Sequence, residues 1–204
     1  MSTQNEAKPK QPNRSKVRWI AKTGILAGIA VVLMYLEFNI PLMPAFLKFD
    51  FSEIAVLLAT FSMGPLTGIL IELLKNLIHY PFTSSNGVGE LANFLVGSAF
   101  VGIAGLLYRH YKTRAGAIIS MAGGTVAMTL AACLVNYFIV LPFYFNFFPL
   151  EAIIAMCRQV GNTGVKDLWT LILYVFVPFN ILKGIVISLI VALIYKRLSP
   201  ILHR

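Results

Sequence analysis

Four polar residues recur at helical spacing inside an otherwise apolar stretch: Glu72, Lys75, Asn76 and His79. Offsets of three, four and seven residues from Glu72 place them on one face of a helix. A charge in an apolar helix costs about 2.5–3.5 kcal/mol at a bilayer centre, so these groups need partners or water. Two readings are open: a self-satisfied Glu72–Lys75 pair near a membrane edge, or a face that borders a polar cavity or a partner. A second set is Pro178-Phe179-Asn180-Ile181-Leu182-Lys183-Gly184. Asn180 and Lys183 are three apart and share a face. Pro178 removes a backbone donor, frees a carbonyl and predicts a kink. Facing inward, Asn180 and Lys183 can hydrogen-bond a polar ligand; otherwise Lys183 snorkels and Asn180 caps the freed backbone. Asn136-Tyr137 offers an amide with two donors and an acceptor, which suits an amide- or imide-like ligand edge or a bond between helices. Glu90 and Asn93, after Gly87 and Gly89, read as a capped helix start with Glu90 at the positive dipole end.

None of these sets is a catalytic constellation. The chain has no HExxH, no GxSxG and no P-loop, so it cannot hydrolyse ATP in the P-loop manner. Energised transport would need a separate motor. The three histidines, His79, His110 and His203, are far apart, and Cys133 and Cys157 have no metal-like spacing. No enzyme activity, metal or cofactor is expected.

The elements that must position these groups follow from composition. Of 204 residues, 58% are hydrophobic, and the mean hydropathy is +0.78. A soluble domain is nearer 45–50% apolar. Recurrent long apolar runs make this an all-α polytopic membrane protein. The net charge of +9 reflects membrane topology rather than nucleic-acid binding, because the basic residues sit just outside the apolar runs. Residues 1–16 read as a disordered basic N-terminus, 17–198 as a six-helix transmembrane domain and 199–204 as a tail. The expected spans are 17–38, 51–63, 65–80, 90–108, 115–141 and 168–195, the first an uncleaved span rather than a signal peptide. Residues 143–167 read as a long aromatic-rich connection. Twelve of the 17 Lys and Arg residues lie between Lys8 and Lys22, in the 109–114 turn, and from Lys196 to Arg204. Six crossings put all three on one side, which is then cytoplasmic. In the first span, Thr23/Ala27 and Gly24/Gly28 are overlapping small-xxx-small pairs that would let another helix approach.

Taken together, Phe46-Leu47-Lys48-Phe49-Asp50-x-Ser52-Glu53, Gly64-Pro65-x-x-Gly68, Glu72-Leu73-Leu74-Lys75-Asn76-Leu77, Gly89-Glu90-Leu91-Ala92-Asn93-Phe94, Asn136-Tyr137 and Asn180-x-x-Lys183 resemble the riboflavin-binding S components of energy-coupling-factor (ECF) vitamin transporters. The resemblance covers residues 17–198. It implies an S-component bundle of six helices in the cell membrane, holding riboflavin, or FMN, in an outward cavity covered by the first loop. It also implies a transmembrane coupling subunit and two ABC ATPases as partners. By resemblance, Asn136, Asn180 and Lys183 make polar ligand contacts, Phe46, Leu47 and Lys48 cover the site, and Tyr137 forms a wall. The family docks on its coupling subunit through an Ala-x-x-x-Ala pattern in helix 1. Here the counterparts are Thr23, Gly24, Ala27 and Gly28, which depart from that pattern. The alternatives are an S component for another vitamin, such as thiamin or folate, and a small intramembrane enzyme or structural membrane protein using the Glu72/Lys75/His79 face.

Overall fold

The computed structural model describes residues 14–83 and 85–202, with side chains described from Ser15 to Tyr195. Lys8, Lys10 and Arg204, and most of the N-terminal segment read as disordered, lie outside the described residues. Seven helices follow one another: α1 (Arg14–Tyr35), α2 (Ser52–Met63), α3 (Pro65–His79), α4 (Val88–Tyr108), α5 (Arg114–Tyr144), α6 (Leu150–Gln159) and α7, which runs from Leu168 to Leu202. Four of them, α1, α4, α5 and α7, are long and apolar enough to cross a membrane. Helix α2 is apolar but has only 12 residues, and α3 has 15 and carries the charged face.

Local chemistry sets the boundaries. Gly64, at φ +100°, turns the chain between α2 and α3, and Pro65 occupies the first turn of α3, where its missing N–H is not needed. Thr113 caps α5 by accepting from the Gly116 N–H at 3.0 Å. Asp167 caps α7 in a capping box with Thr170. The hydrogen bonds from Thr170 hold the Asp167 carboxyl below the usual carboxylate range.

The bundle has two distinct ends. At the basic end, beside the 109–113 turn, the Phe61 and Tyr108 rings lie 4.4 Å apart between centroids, and the Tyr108 and Tyr195 hydroxyls are hydrogen-bonded. Trp19 donates to Thr67 Oγ1 at 3.1 Å, tying α1 to α3. Between the ends, Val56, Leu57, Ile71, Phe100, Val101, Met121 and Ile187 form a closely packed apolar core. At the loop end, α6 packs Ile153, Ile154 and Cys157 against Leu141, Leu171 and Val175 of α5 and α7.

Two prolines lie inside helices. The fifth span, expected to end near Pro142, runs on two residues to Tyr144, and the helix of the sixth is continuous through Pro178. Each proline follows a π-helical turn, Asn136–Val140 and Ile172–Phe176. The Leu141 N–H reaches back to Asn136 O, and the Val177 N–H to Ile172 O. Each helix widens just before the residue that lacks a donor. The Tyr174 carbonyl, which Pro178 cannot serve, accepts from Asn162 Nδ2 at 3.3 Å. The 143–167 connection is also not structureless, since it contains α6. Its amphipathic pattern was obscured by the aromatic run 143–148 that precedes it.

Candidate functional site

A cavity of about 340 Å³ opens at the loop end, between loop 1 and α2, α3, α4, α5 and α7. That volume is in the range of small-molecule sites. Loop 1 is tied at its base by a two-residue antiparallel ladder that pairs Phe38 with Phe49 and Asn39 with Lys48. Lys48 is bridged to Glu37. Inside the ladder the chain folds over the cavity, with the Phe46 ring 6.1 Å from that of Phe176. Phe46, Leu47 and Lys48 all line it.

The polar wall comes from α5 and α7. Asn136, Asn180 and Lys183 line the cavity, and all three are buried. Each amide spends one N–H on its own helix: Asn136 Nδ2 donates to Ala132 O at 2.7 Å and Asn180 Nδ2 to Phe176 O at 2.8 Å. Asn180 therefore serves Phe176 O and not Tyr174 O, the carbonyl that Pro178 frees, and it keeps its amide oxygen and a second N–H for a ligand. Lys183 does not snorkel. Its ammonium donates to Asp50 Oδ2 at 2.8 Å, which fastens the end of loop 1 to α7. Ser52 donates to the other oxygen of Asp50 through its N–H at 2.8 Å and through its hydroxyl. The apolar walls are Met128, Tyr144, Phe176 and Phe179.

Tyr137 is not among the lining residues. It turns away and stacks on Trp169, with centroids 5.1 Å apart. The π turn that begins at Asn136 leaves Val140 and Tyr144, rather than Tyr137, facing the cavity.

The Glu72 face meets both of its sequence readings. Lys75 is fully buried and bridges Glu53 at 2.8 Å and Glu72 at 3.0 Å, with Ser52 Oγ at 2.7 Å. A Cβ at Gly97 of α4 would fall 2.6 Å from Glu72 Oε2, so only glycine lets α4 close over this cluster. The ion pair therefore forms in the interior rather than at a membrane edge, and Glu72 Oε1 and Glu53 Oε2 have no hydrogen-bond partner there. Glu53 and His79 also border the cavity. Across from them Glu90 accepts from Ser85 Oγ at 2.9 Å and pairs with His79 Nδ1 at 3.0 Å. The bland reading of Glu90 as a helix-start residue missed this. A cavity role for Asp50 and Glu53 was hidden because their cations, Lys183 and Lys75, come from other elements. Among the described residues no His, Cys, Asp and Glu cluster could hold a metal ion.

On α1 the small-residue pairs divide. Thr23 and Ala27 are buried, with the Thr23 hydroxyl 3.8 Å from Met63 Sδ. Gly24 and Gly28 are exposed, with nothing within 4 Å of where a Cβ would stand. Thr23 and Ala27 therefore pack inward and cannot meet a partner, which corrects the expectation for these two.

Residues 18–195 match the family described as "ECF transporter, substrate-specific component". The chain belongs to this family. It is an S component, a substrate-binding transport subunit with an all-helical membrane fold, and its activity is transport rather than enzymatic. The S component is 36% identical over 192 residues to "Riboflavin transporter RibU" of Staphylococcus aureus, spanning 94% of this chain and 96% of that one. It is 34% identical to "Riboflavin transporter FmnP" of Bacillus subtilis, over 91% of this chain and 94% of that one. A solved S component of a bacterial ECF transporter superposes with a TM-score of 0.73 at 34% identity, covering 93% of this chain and 99% of that one. ThiT from Listeria monocytogenes shares the fold at 16% identity, with a TM-score of 0.50 over 92% of this chain and 98% of that one.

Proposed function

We propose that this S component captures riboflavin in the loop-end cavity and delivers it inward when joined to a transmembrane coupling subunit and two ABC ATPases. One observation carries the reading: Asn136, Asn180 and Lys183, singled out in the sequence as polar groups that a ligand could contact, line one cavity under loop 1. Riboflavin is a flat tricycle with an imide edge and a polyol tail. The aromatic walls suit the tricycle. Burial of about 200 Å² of ring, comparable to a large aromatic side chain, gives roughly 5 kcal/mol of gross gain. The amide oxygens and the two uncommitted ammonium protons of Lys183 suit the imide edge. The relatives named as riboflavin transporters support the same ligand.

The topology that goes with this reading has six crossings and both termini in the cytoplasm. Helices α2 and α3, each too short by length alone, cross as a pair turned at Gly64-Pro65. The basic end then faces the cytoplasm and the cavity faces outward. The exposed Gly24/Gly28 face of α1 is the docking surface for the coupling subunit.

The absorbance spectrum of the purified chain is the direct test. Flavin bands in the purified protein, or flavin fluorescence quenched on titration, are expected. Colourless protein that quenches no flavin, while a thiamin or folate competes for the cavity, would transfer the reading to another vitamin.

A further inference from the structure

The charges around the cavity do not balance. Glu37, Asp50, Glu53 and Glu90 line it, against two ammoniums, Lys48 and Lys183. Both ammoniums are already matched, Lys48 to Glu37 and Lys183 to Asp50. Glu53 draws on Lys75 from behind the wall. Among the described residues Glu90 is held by the His79 ring and by the Ser85 and Thr83 side chains, with no lysine or arginine. Among the described lining residues no Lys or Arg is left for a second anion.

We infer that Glu90, held by His79 and Ser85 on the α3–α4 wall and assisted by Glu37 at the mouth, is a specificity residue that receives an uncharged hydroxylated tail and rejects a phosphorylated one. The inference rests on the flavin reading above. With the imide edge on Asn136, Asn180 and Lys183, the tail points to the opposite wall. A polyol there donates to the Glu90 carboxylate. A phosphate monoester brings a charge of about −1.5 to −2 at pH 7 and no donor. Buried against Glu90 without a free counter-ion, it meets like-charge repulsion and loses its hydration. The Lys48–Glu37 bridge matters because Lys48 is the one ammonium near the mouth that loop movement could offer to a phosphate, and Glu37 holds it.

The test is a fluorescence-quenching titration of the purified full chain with riboflavin, FMN and lumiflavin, a flavin with no polyol. Riboflavin should bind at least tenfold more tightly than FMN. That ratio should shrink at least threefold in Glu90→Gln, which keeps the shape but not the charge, and likewise in Glu37→Gln, which frees Lys48. A wild-type ratio below tenfold overturns the inference, as does a ratio that both variants leave unchanged. If Glu90→Gln does not fold, Glu37→Gln alone decides. Binding of all three flavins with no preference sinks this inference and leaves the flavin reading standing. If no flavin binds, lumiflavin included, the flavin reading falls first and takes this inference with it.

Discussion

At the residue scale, burial decides which ion pairs matter. Lys75 has no solvent contact and serves two carboxylates. Lys75→Met leaves Glu53 and Glu72 buried without their cation, and should cost about 3–5 kcal/mol, read as a fall in the unfolding midpoint in detergent. Lys48 is 42% exposed in its pair with Glu37. Lys48→Met should cost no more than about 1 kcal/mol in the same assay. Asn180→Ala removes both the capping N–H and the amide oxygen aimed into the cavity. It should weaken flavin binding by about 1–3 kcal/mol, measured by titration; wild-type affinity would take Asn180 out of the site. These sites were legible to different degrees. Asn136, Asn180 and Lys183 stood out because a polar group in an apolar helix must be explained. The partner of Lys183 could not be read, because Asp50 lies 133 positions away along the chain.

At the element scale, the four long apolar helices were readable from run length. The α2–α3 pair was readable from Gly64-Pro65. Helix α6 was not, because ten residues of mixed pattern follow an aromatic run with no clear punctuation other than Pro149. The directions of faces were also beyond the sequence. Thr23/Ala27 and Gly24/Gly28 are equally good small-residue pairs, and only the packing of α1 on α2 and α3 separates them. That separation yields a paired prediction. Ala27→Leu must push into the buried core that Ala27 belongs to, and should destabilise the isolated protein by about 1–3 kcal/mol. Gly28→Leu meets open space, so unfolding and flavin titration should be unchanged while uptake by cells carrying the full transporter falls. Normal uptake with Gly28→Leu would remove this face as the docking surface.

At the scale of the whole molecule, charge placement makes a topological commitment. If the basic end faces the cytoplasm, cysteines placed before α1 and after α7 should both be shielded from a membrane-impermeant thiol reagent added outside cells, and both should react after permeabilisation. A cysteine replacing Asn146, beyond α5 at the loop end, should react from outside. Tails that label on opposite faces would exclude an even number of crossings. The composition already fixed membrane residence, because 58% apolar residues leave too little polar surface for a soluble fold. What composition could not settle was the shape of the interior, in which a polar chamber under loop 1 adjoins the buried ion cluster of α2 and α3.

The two widened turns, Asn136–Val140 and Ile172–Phe176, each hold one residue more than an α-helical ladder needs. Excising a single residue from either stretch would restore an α-helical ladder, and because the widened turn absorbs that residue, the faces on the two sides of the cut would keep their phase. Only the residues of the turn itself would shift, among them Asn136 and Val140 in α5 and Phe176 in α7, all of which line the chamber. The crossing itself would survive, still apolar and still long enough. One lost codon would thus leave a protein that still inserts but has a reshaped chamber wall.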